Sequence, residues 1–371
     1  MTDYPARALI SRSALENNLN VLRSLTAADA MIVVKADAYG HGLEWIARWA
    51  HAAGINWFGV AQLTEALQLR QHLPHARILT WIFTPGADLA GALRADVDLS
   101  IGSRWALEEI EAAARATGIT ARVHIKVDTG MARGGLSLAE FADVADTIAR
   151  LAAEGVVDVV GLWSHLACAD DPDSGQTMRQ IDAFEQARGI AQQSGLTPSL
   201  FHLAASAGTL WHPAAHYDMV RLGIATYGVS PNPQVQPAHE IGLQAVMRVE
   251  ASLLTARDFD AATGVSYGHT YVTPDRARLA VVPLGYADGI PRHASNRASV
   301  QVGAARCPIR GRICMDQFII EGEDLAAGQK AVLFGDYADG VPTADDWAAA
   351  AGTIGYEIVT RIGARVPRVG G

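Results

Sequence analysis

The chain has 371 residues, half of them apolar and 19% charged, with a formal net charge of -9 at pH 7. That length suits two or three domains or one large barrel with a smaller companion, and the composition is that of a folded chain rather than a disordered one. An acidic balance without any basic block argues against nucleic acid or an anionic membrane as the main partner, while three scattered cysteines (Cys168, Cys307, Cys314) without a C-x-x-C pair suit neither a disulfide framework nor a zinc site and read as reduced thiols of a cytoplasmic protein.

The segment Met1 to Arg7 carries no basic stretch followed by an apolar core, and no run reaches the roughly 18 apolar residues of a spanning helix. Ser13-Ala14-Leu15-Glu16 has the form of a capping box and predicts a helix to about residue 25. Short apolar runs then alternate with stretches of helical period. Strands are expected at 31–35, 56–61, 77–83, 97–101, 122–127, 156–162, 200–203 and 219–221, with helices at 43–53, 64–73, 103–117, 138–152 behind the capping box Ser137-Leu138-Ala139-Glu140, and 177–194. Eight β/α alternations in about 230 residues predict an α/β chain folded as a (β/α)₈ TIM barrel, with a doubly wound sheet as the alternative. Three prolines within 231–237 mark a connection. Beyond it, strand-like runs at 243–256, 278–284, 298–302, 317–320 and 330–334, with a helical stretch near 344–350, predict a mainly-β domain over 238–371.

In such a barrel, chemistry sits where strands end at the C-terminal rim. Of 30 basic residues only Lys35, Lys126 and Lys330 are lysine. Arginine keeps its proton at any working pH, whereas a desolvated lysine can become a neutral amine, form a Schiff base and act as a base. Lys35 ends the first strand and breaks into Ala36-Asp37-Ala38-Tyr39-Gly40-His41-Gly42, so it is a candidate imine-former. The ordinary reading of such a lysine is a solvated strand end, and the scarcity of lysine tilts the balance the other way. Polar residues also end the fifth strand (Lys126 to Arg133), the sixth (Ser164-His165), the seventh (Ala205-Ser206) and the eighth (Arg221-Leu222-Gly223-Ile224). Amides at Gly223 and Ile224 with the Ser206 hydroxyl suit a phosphate, and a phosphate-bearing cofactor that forms an imine with lysine is pyridoxal phosphate. Glycine after a strand is more often a plain turn. Tyr267, Tyr271 and Tyr286 sit among small residues, where an amphipathic core tyrosine is the more common outcome.

Other patterns are weaker. Ala204-Ala205-Ser206-Ala207-Gly208 lacks the first glycine of a nucleophile elbow, His72/His75 and His212/His216 lack a ligand set, and Asp170-Asp171-Pro172-Asp173 lacks the glycine and glutamate of a calcium loop.

Val33-Val34-Lys35-Ala36-Asp37-Ala38-Tyr39-Gly40-His41-Gly42 resembles the cofactor-lysine signature of bacterial alanine racemases. Lys126 to Arg133, Ser164-His165, Met219 to Gly228, Ser266-Tyr267-Gly268, Gly285 to Gly289, Cys314-Met315-Asp316 and Arg365-Val366-Pro367-Arg368 resemble that family in the same order, over essentially the whole chain. The resemblance implies a pyridoxal-phosphate barrel, 1–230, with a C-terminal β domain that residues 1–10 join, acting as a homodimer that interconverts L- and D-alanine. It implies that Lys35 holds the cofactor and serves as one base, and that Tyr267 from the partner subunit serves as the other. Arg221 would face the pyridine nitrogen with His165 beside it. Tyr39, Ser206, Gly223, Ile224 and Tyr356 would hold the phosphate, and Arg133 would meet the substrate carboxylate. Met315 and Asp316 of the other subunit would line the pocket, Tyr271 and Tyr286 would narrow its entrance, and Lys126 would be open to carbamylation. Ala205 departs from the asparagine many members carry there. A decarboxylase of the same barrel type, a racemase of broader range, and a non-catalytic carrier of the cofactor are the rivals.

Overall fold

The computed structural model describes residues 4–371, so Met1, Thr2 and Asp3 of the segment expected to join the second domain lie outside the described residues. The chain forms two compact units. One holds Leu19–Ala38 and Ile46–Thr226, and the other holds the chain up to Asn18, Tyr39–Trp45 and Tyr227–Gly371.

The first unit is a (β/α)₈ barrel. Its parallel strands are β1 (Asp29–Val33), β2 (Trp57–Gln62), β3 (Arg77–Ile82), β4 (Asp98–Ile101), β5 (Ala121–Lys126), β6 (Val157–Trp163), β7 (Leu200–His202) and β8 (Met219–Leu222). They lie in the order β7-β6-β5-β4-β3-β2-β1-β8, and an Ala205–Arg221 bridge brings the end of β7 beside β8. All residues of β4 and β8 are buried, as expected of strands covered by side chains inside and helices outside. Met31, Leu79 and Met219, flanked by Trp57, Trp81 and Leu200, form one packed layer of the interior.

The helices follow their apolar stripes. In Leu138–Ala153, Phe141, Val144, Ala145, Ile148 and Leu151 are buried at spacings of three and four, each worth roughly 1.5–3 kcal/mol for the larger side chains. Phe141→Ala would cost this helix about 3–5 kcal/mol. Its predicted capping box is present: the Ser137 hydroxyl accepts the Glu140 amide, and the Glu140 carboxylate accepts the Ser137 amide. The first helix differs. It spans Arg12–Ser24, so the Ala14 amide donates to Ser11 Oγ and Glu16 pairs with Arg12 instead of capping. Ser13 and Glu16 carry the right spelling two residues too late.

The second unit is mainly β. Ala6–Ile10 lies between Met247–Ser252, antiparallel, and Arg368–Gly370, parallel, within a six-stranded sheet. The run expected as one strand over 243–256 is two, because buried Leu253 and exposed Leu254 turn the chain out of that sheet. Thr255–Phe259 then pairs with Ala277–Val282 in a separate three-stranded sheet. Helix Ala344–Ala351 appears near its predicted place, and a helix at Gly355–Arg361 was not legible in the sequence. Among the described residues, no helix is long and apolar enough to cross a membrane.

Candidate active site

Lys35 stands two residues beyond β1, and the chain after it does something no residue type there favours. Ala36, Asp37, Ala38 and Tyr39 have φ of 53–54°, a left-handed turn made entirely without glycine. Each such residue costs about 1–2 kcal/mol, so other contacts must hold it. The Ala38 amide donates to Val34 O (2.9 Å) and the Ala36 amide to Glu65 Oε1 (2.6 Å). Glu65 Oε2 also accepts the Ala61 and Gln62 amides (3.0 and 2.8 Å), so one carboxylate starts the helix Leu63–His72 and clamps the turn after the lysine. Sequence reasoning passed over Glu65. Its signal was a capping box spelled with Gln62 in place of serine or threonine.

The ends of β5, β6 and β8 bring further cations to the barrel side of Lys35. Asp128 Oδ1 accepts the amides of Gly130, Met131 and Ala132, curling the loop that carries Arg133. Ser164 Oγ donates to Val127 O and meets Thr129 Oγ1, while the Gln180 amide reaches Thr129 Oγ1, His165 O and the Ala167 amide. Gln180, expected only as part of a helix start, thus fastens the loops that follow β5 and β6. Burial lowers the Lys35 pKa, helped by Arg133 and, less, Arg221, against an opposing pull from Glu65. Burial and the same two arginines bring Lys126 down to about 8, and its amine lies 4.9 Å from the Trp163 ring centre. His165 is held well below its usual value by burial, then by Arg221, Arg133, Lys35 and Lys126, so it is neutral. Two lysines and two arginines therefore converge on one neutral histidine, a setting that favours anionic ligands.

Arg221 is almost wholly buried. Its Nη1 donates to His202 O (2.8 Å) and faces His202 Nδ1 (3.2 Å); Nη2 donates to Ser164 O (2.7 Å) and Leu203 O (3.0 Å) and faces His165 Nδ1 (3.2 Å). Burial lowers its pKa to about 9, which leaves it protonated at neutral pH. At the late strand ends, Ser206 Oγ accepts the amides of Gly223 (3.0 Å) and Ala225 (3.3 Å), with Ile224 buried between them.

In the second unit, Tyr39 packs against Tyr227 and Tyr356 (ring centres 4.8 and 6.5 Å), and burial raises its pKa, so its phenol keeps its proton. The later motifs, scattered in sequence, meet there. Gly285 has no room for a Cβ, which would lie 2.3 Å from the carbonyls of Cys314 and Met315. That close approach lets the amides of Tyr286 and Ala287 donate to those two carbonyls. Arg365 ties Asp316 (2.9 Å) to buried Asp288 (3.3 Å), and Ser266 Oγ donates to Arg312 O beside Cys314. Tyr267 and Met315 are left strongly exposed, 70% and 53%. Tyr271 stands apart: its phenol donates to Glu321 and its ring lies under Arg310.

The fold and this rim define an enzyme of the lysine-bearing (β/α)₈ type with an appended β domain. Residues 10–231 match the family model for the alanine racemase N-terminal domain and residues 246–370 that for the C-terminal domain. The chain is 54% identical over 370 residues to an alanine racemase of Beutenbergia cavernae, covering 99% of this chain and 98% of that one. Its structure is similar to that of alanine racemase from D-cycloserine-producing Streptomyces lavendulae, with a TM-score of 0.98 at 46% identity, covering 100% and 98% of the two chains. It is also similar to the Bacillus anthracis alanine racemase with bound L-Ala-P, with a TM-score of 0.91 at 30% identity over 100% and 96%. The chain belongs to the alanine racemase family, and as an isomerase it interconverts L- and D-alanine.

Proposed function

We propose that racemisation runs between two bases on opposite faces of the substrate, Lys35 of one subunit and the partner subunit's Tyr267, on pyridoxal phosphate held by the barrel. The observation that carries this reading is the convergence of Lys35, Lys126, Arg133 and Arg221 on His165, which fits a phosphorylated cofactor and a substrate carboxylate together. When bound, pyridoxal phosphate supplies a carbonyl carbon that a lysine amine can take up and a ring that accepts negative charge from the substrate Cα.

This chain's residues do the rest. Lys35, whose pKa burial and the neighbouring arginines lower, would remove or return the α-proton at Nζ. The phenolic oxygen of Tyr267 does the same on the other face, and its exposure supports service in a second subunit's site. Arg221 would face the ring nitrogen and donate to it without giving up its proton, which would limit side reactions. Tyr39, Ser206, Gly223, Ile224 and Tyr356 would hold the phosphate, His165 would pack beside the ring, and Arg133 would meet the carboxylate. Met315 and Asp316 would line the pocket of the neighbouring copy, and Tyr271, its phenol held by Glu321, would narrow the entrance with Tyr286. Free cysteines at 168, 307 and 314 support a cytoplasmic setting.

Holoenzyme given L-alanine in heavy water should form D-alanine carrying deuterium at Cα, and borohydride should fix the cofactor to the Lys35 peptide. Racemisation without exchange, or label on another lysine, would refute the reading.

A further inference from the structure

A line of buried polar groups runs through the barrel interior from the start of one strand to Arg221. Asp98, the first residue of β4, lies 3.3 Å from His124 Nε2 on β5. His124 Nδ1 lies 2.9 Å from Nε2 of His202, the last residue of β7, and His202 Nδ1 lies 3.2 Å from Arg221 Nη1 on β8. Asp98, His124 and His202 are fully buried and Arg221 is 3% exposed, so no solvent enters this line.

Only one arrangement of protons satisfies it. A guanidinium donates and never accepts, so His202 Nδ1 must be the acceptor and its proton sits on Nε2. That proton points at His124 Nδ1, which must accept in turn, leaving the His124 proton on Nε2. Asp98, ionised between Arg77 (2.6 Å) and Arg122 (2.7 Å), receives it. Burial disfavours the charge on either histidine, so both stay neutral.

The surroundings lock the rings in place. Trp163 stacks on His202 with its plane 3° away, and the edge of Trp57 meets His124 at 82°. Gly161 leaves the space His124 fills, since a Cβ there would come within 2.4 Å of His124 Nδ1. Arg77 and Arg122 complete the set of charged groups at the Asp98 end; Arg221 is the charge at the other.

We propose that Asp98 is a positioning residue for Arg221, acting through two neutral histidines that it holds as Nε2–H tautomers. With His202 Nδ1 kept as an acceptor, Nη1 and Nη2 are fully engaged, and the guanidinium turns its remaining Nε–H to the site. A His202 with its proton on Nδ1 would set donor against donor and swing the guanidinium away. This rests on the reading of Arg221 as the donor to the cofactor ring.

The test is ¹⁵N NMR of histidine-labelled holoenzyme, with His124→Gln and His202→Gln used for assignment. The wild type should show both rings neutral with the proton on Nε2 between about pH 6 and 9; a proton on Nδ1 of either ring overturns the proposal. In Asp98→Asn the side-chain amide can donate as well as accept, so both rings should become tautomeric mixtures. kcat for racemisation should then fall about 10–100-fold, the usual effect of removing such a partner, with KM for alanine nearly unchanged. A lower kcat with unchanged tautomers would mark a merely structural defect, and changed tautomers with wild-type kcat would remove the positioning role; either overturns it. Should Asp98→Asn fail to fold, the wild-type tautomers still decide. Failure of the two-base reading shows separately, as absent deuterium exchange in the wild type.

Discussion

Gly161→Ala measures how tightly the barrel interior holds its polar line. Gly161 of β6 is paired with His124 of β5, beside a register shift. The new Cβ would lie 2.4 Å from His124 Nδ1, 3.0 Å from Cε1 and 3.1 Å from Cγ, against an ordinary contact of about 3.5–4.0 Å. The ring must therefore retreat by about 1 Å, but Trp57 and the 2.9 Å bond to His202 confine it. Overpacking of this kind costs about 1–3 kcal/mol, and stretching the His124–His202 bond leaves a buried nitrogen unpaired for roughly 1–3 more. Taking about 3–4 kcal/mol together and about 2–4 °C per kcal/mol for a unit of this size, the barrel should melt about 10 °C lower. Gly189→Ala is the matched control. It lies inside the helix Gln176–Gln193 with nothing within 4 Å of a new Cβ, so it should gain about 0.5–1 kcal/mol. Thermal melting by far-ultraviolet circular dichroism compares the pair. Equal melting temperatures for Gly161→Ala and the wild type would refute the packing reasoning.

Two further outcomes follow from charge. Burial, then Asp346, raises the Asp345 pKa to about 6, and its Oδ1 has no hydrogen-bond partner among the described residues. A carboxyl with a raised folded pKa stabilises the fold below its unfolded value near 3.8 and loses that contribution as pH rises through about 6. Asp345→Asn should therefore match the wild type near pH 4 and exceed it by roughly 1–2 kcal/mol at pH 8 in urea unfolding, after a discount for partial exposure; equal stability at pH 8 would contradict this. The Lys126 amine, with its pKa near 8 and two arginines repelling its charge, should take up carbon dioxide, the nitrogen bonding to carbon and losing a proton, to give a carbamate that Arg133 attracts. Native mass spectrometry in bicarbonate above pH 8 should show one carbon dioxide adduct that Lys126→Ala removes; its persistence in that variant would exclude Lys126.

The barrel was legible because its signals are local. Eight apolar runs bounded by turn residues and amphipathic helices at 104–117 and 138–153 need only their own neighbours to be read. Lys35 was legible through its rarity, and the family motifs through their spelling. What escaped depends on distance in sequence. His124 and His202 read as ordinary strand residues and meet only because the sheet curls into a barrel, 78 residues apart. Glu65 reaches the turn after Lys35 only because β1 and β2 lie side by side. The left-handed turn at Ala36 to Tyr39 goes against local preference, so no local rule could find it; it exists because tertiary contacts outweigh it. The split of 243–256 turned on Leu254 being exposed, which its apolar character argued against.

The claim that each site takes one base from each of two subunits is tested most directly by mixing two dead variants. Lys35→Ala and Tyr267→Phe should each lose nearly all racemase activity alone. Unfolded together and refolded, half of the random dimers should be mixed, and each mixed dimer should hold one site with both native bases, restoring about one quarter of wild-type activity. A mixture as inactive as its components, with mixed dimers verified by differential tagging, would contradict a site shared between subunits.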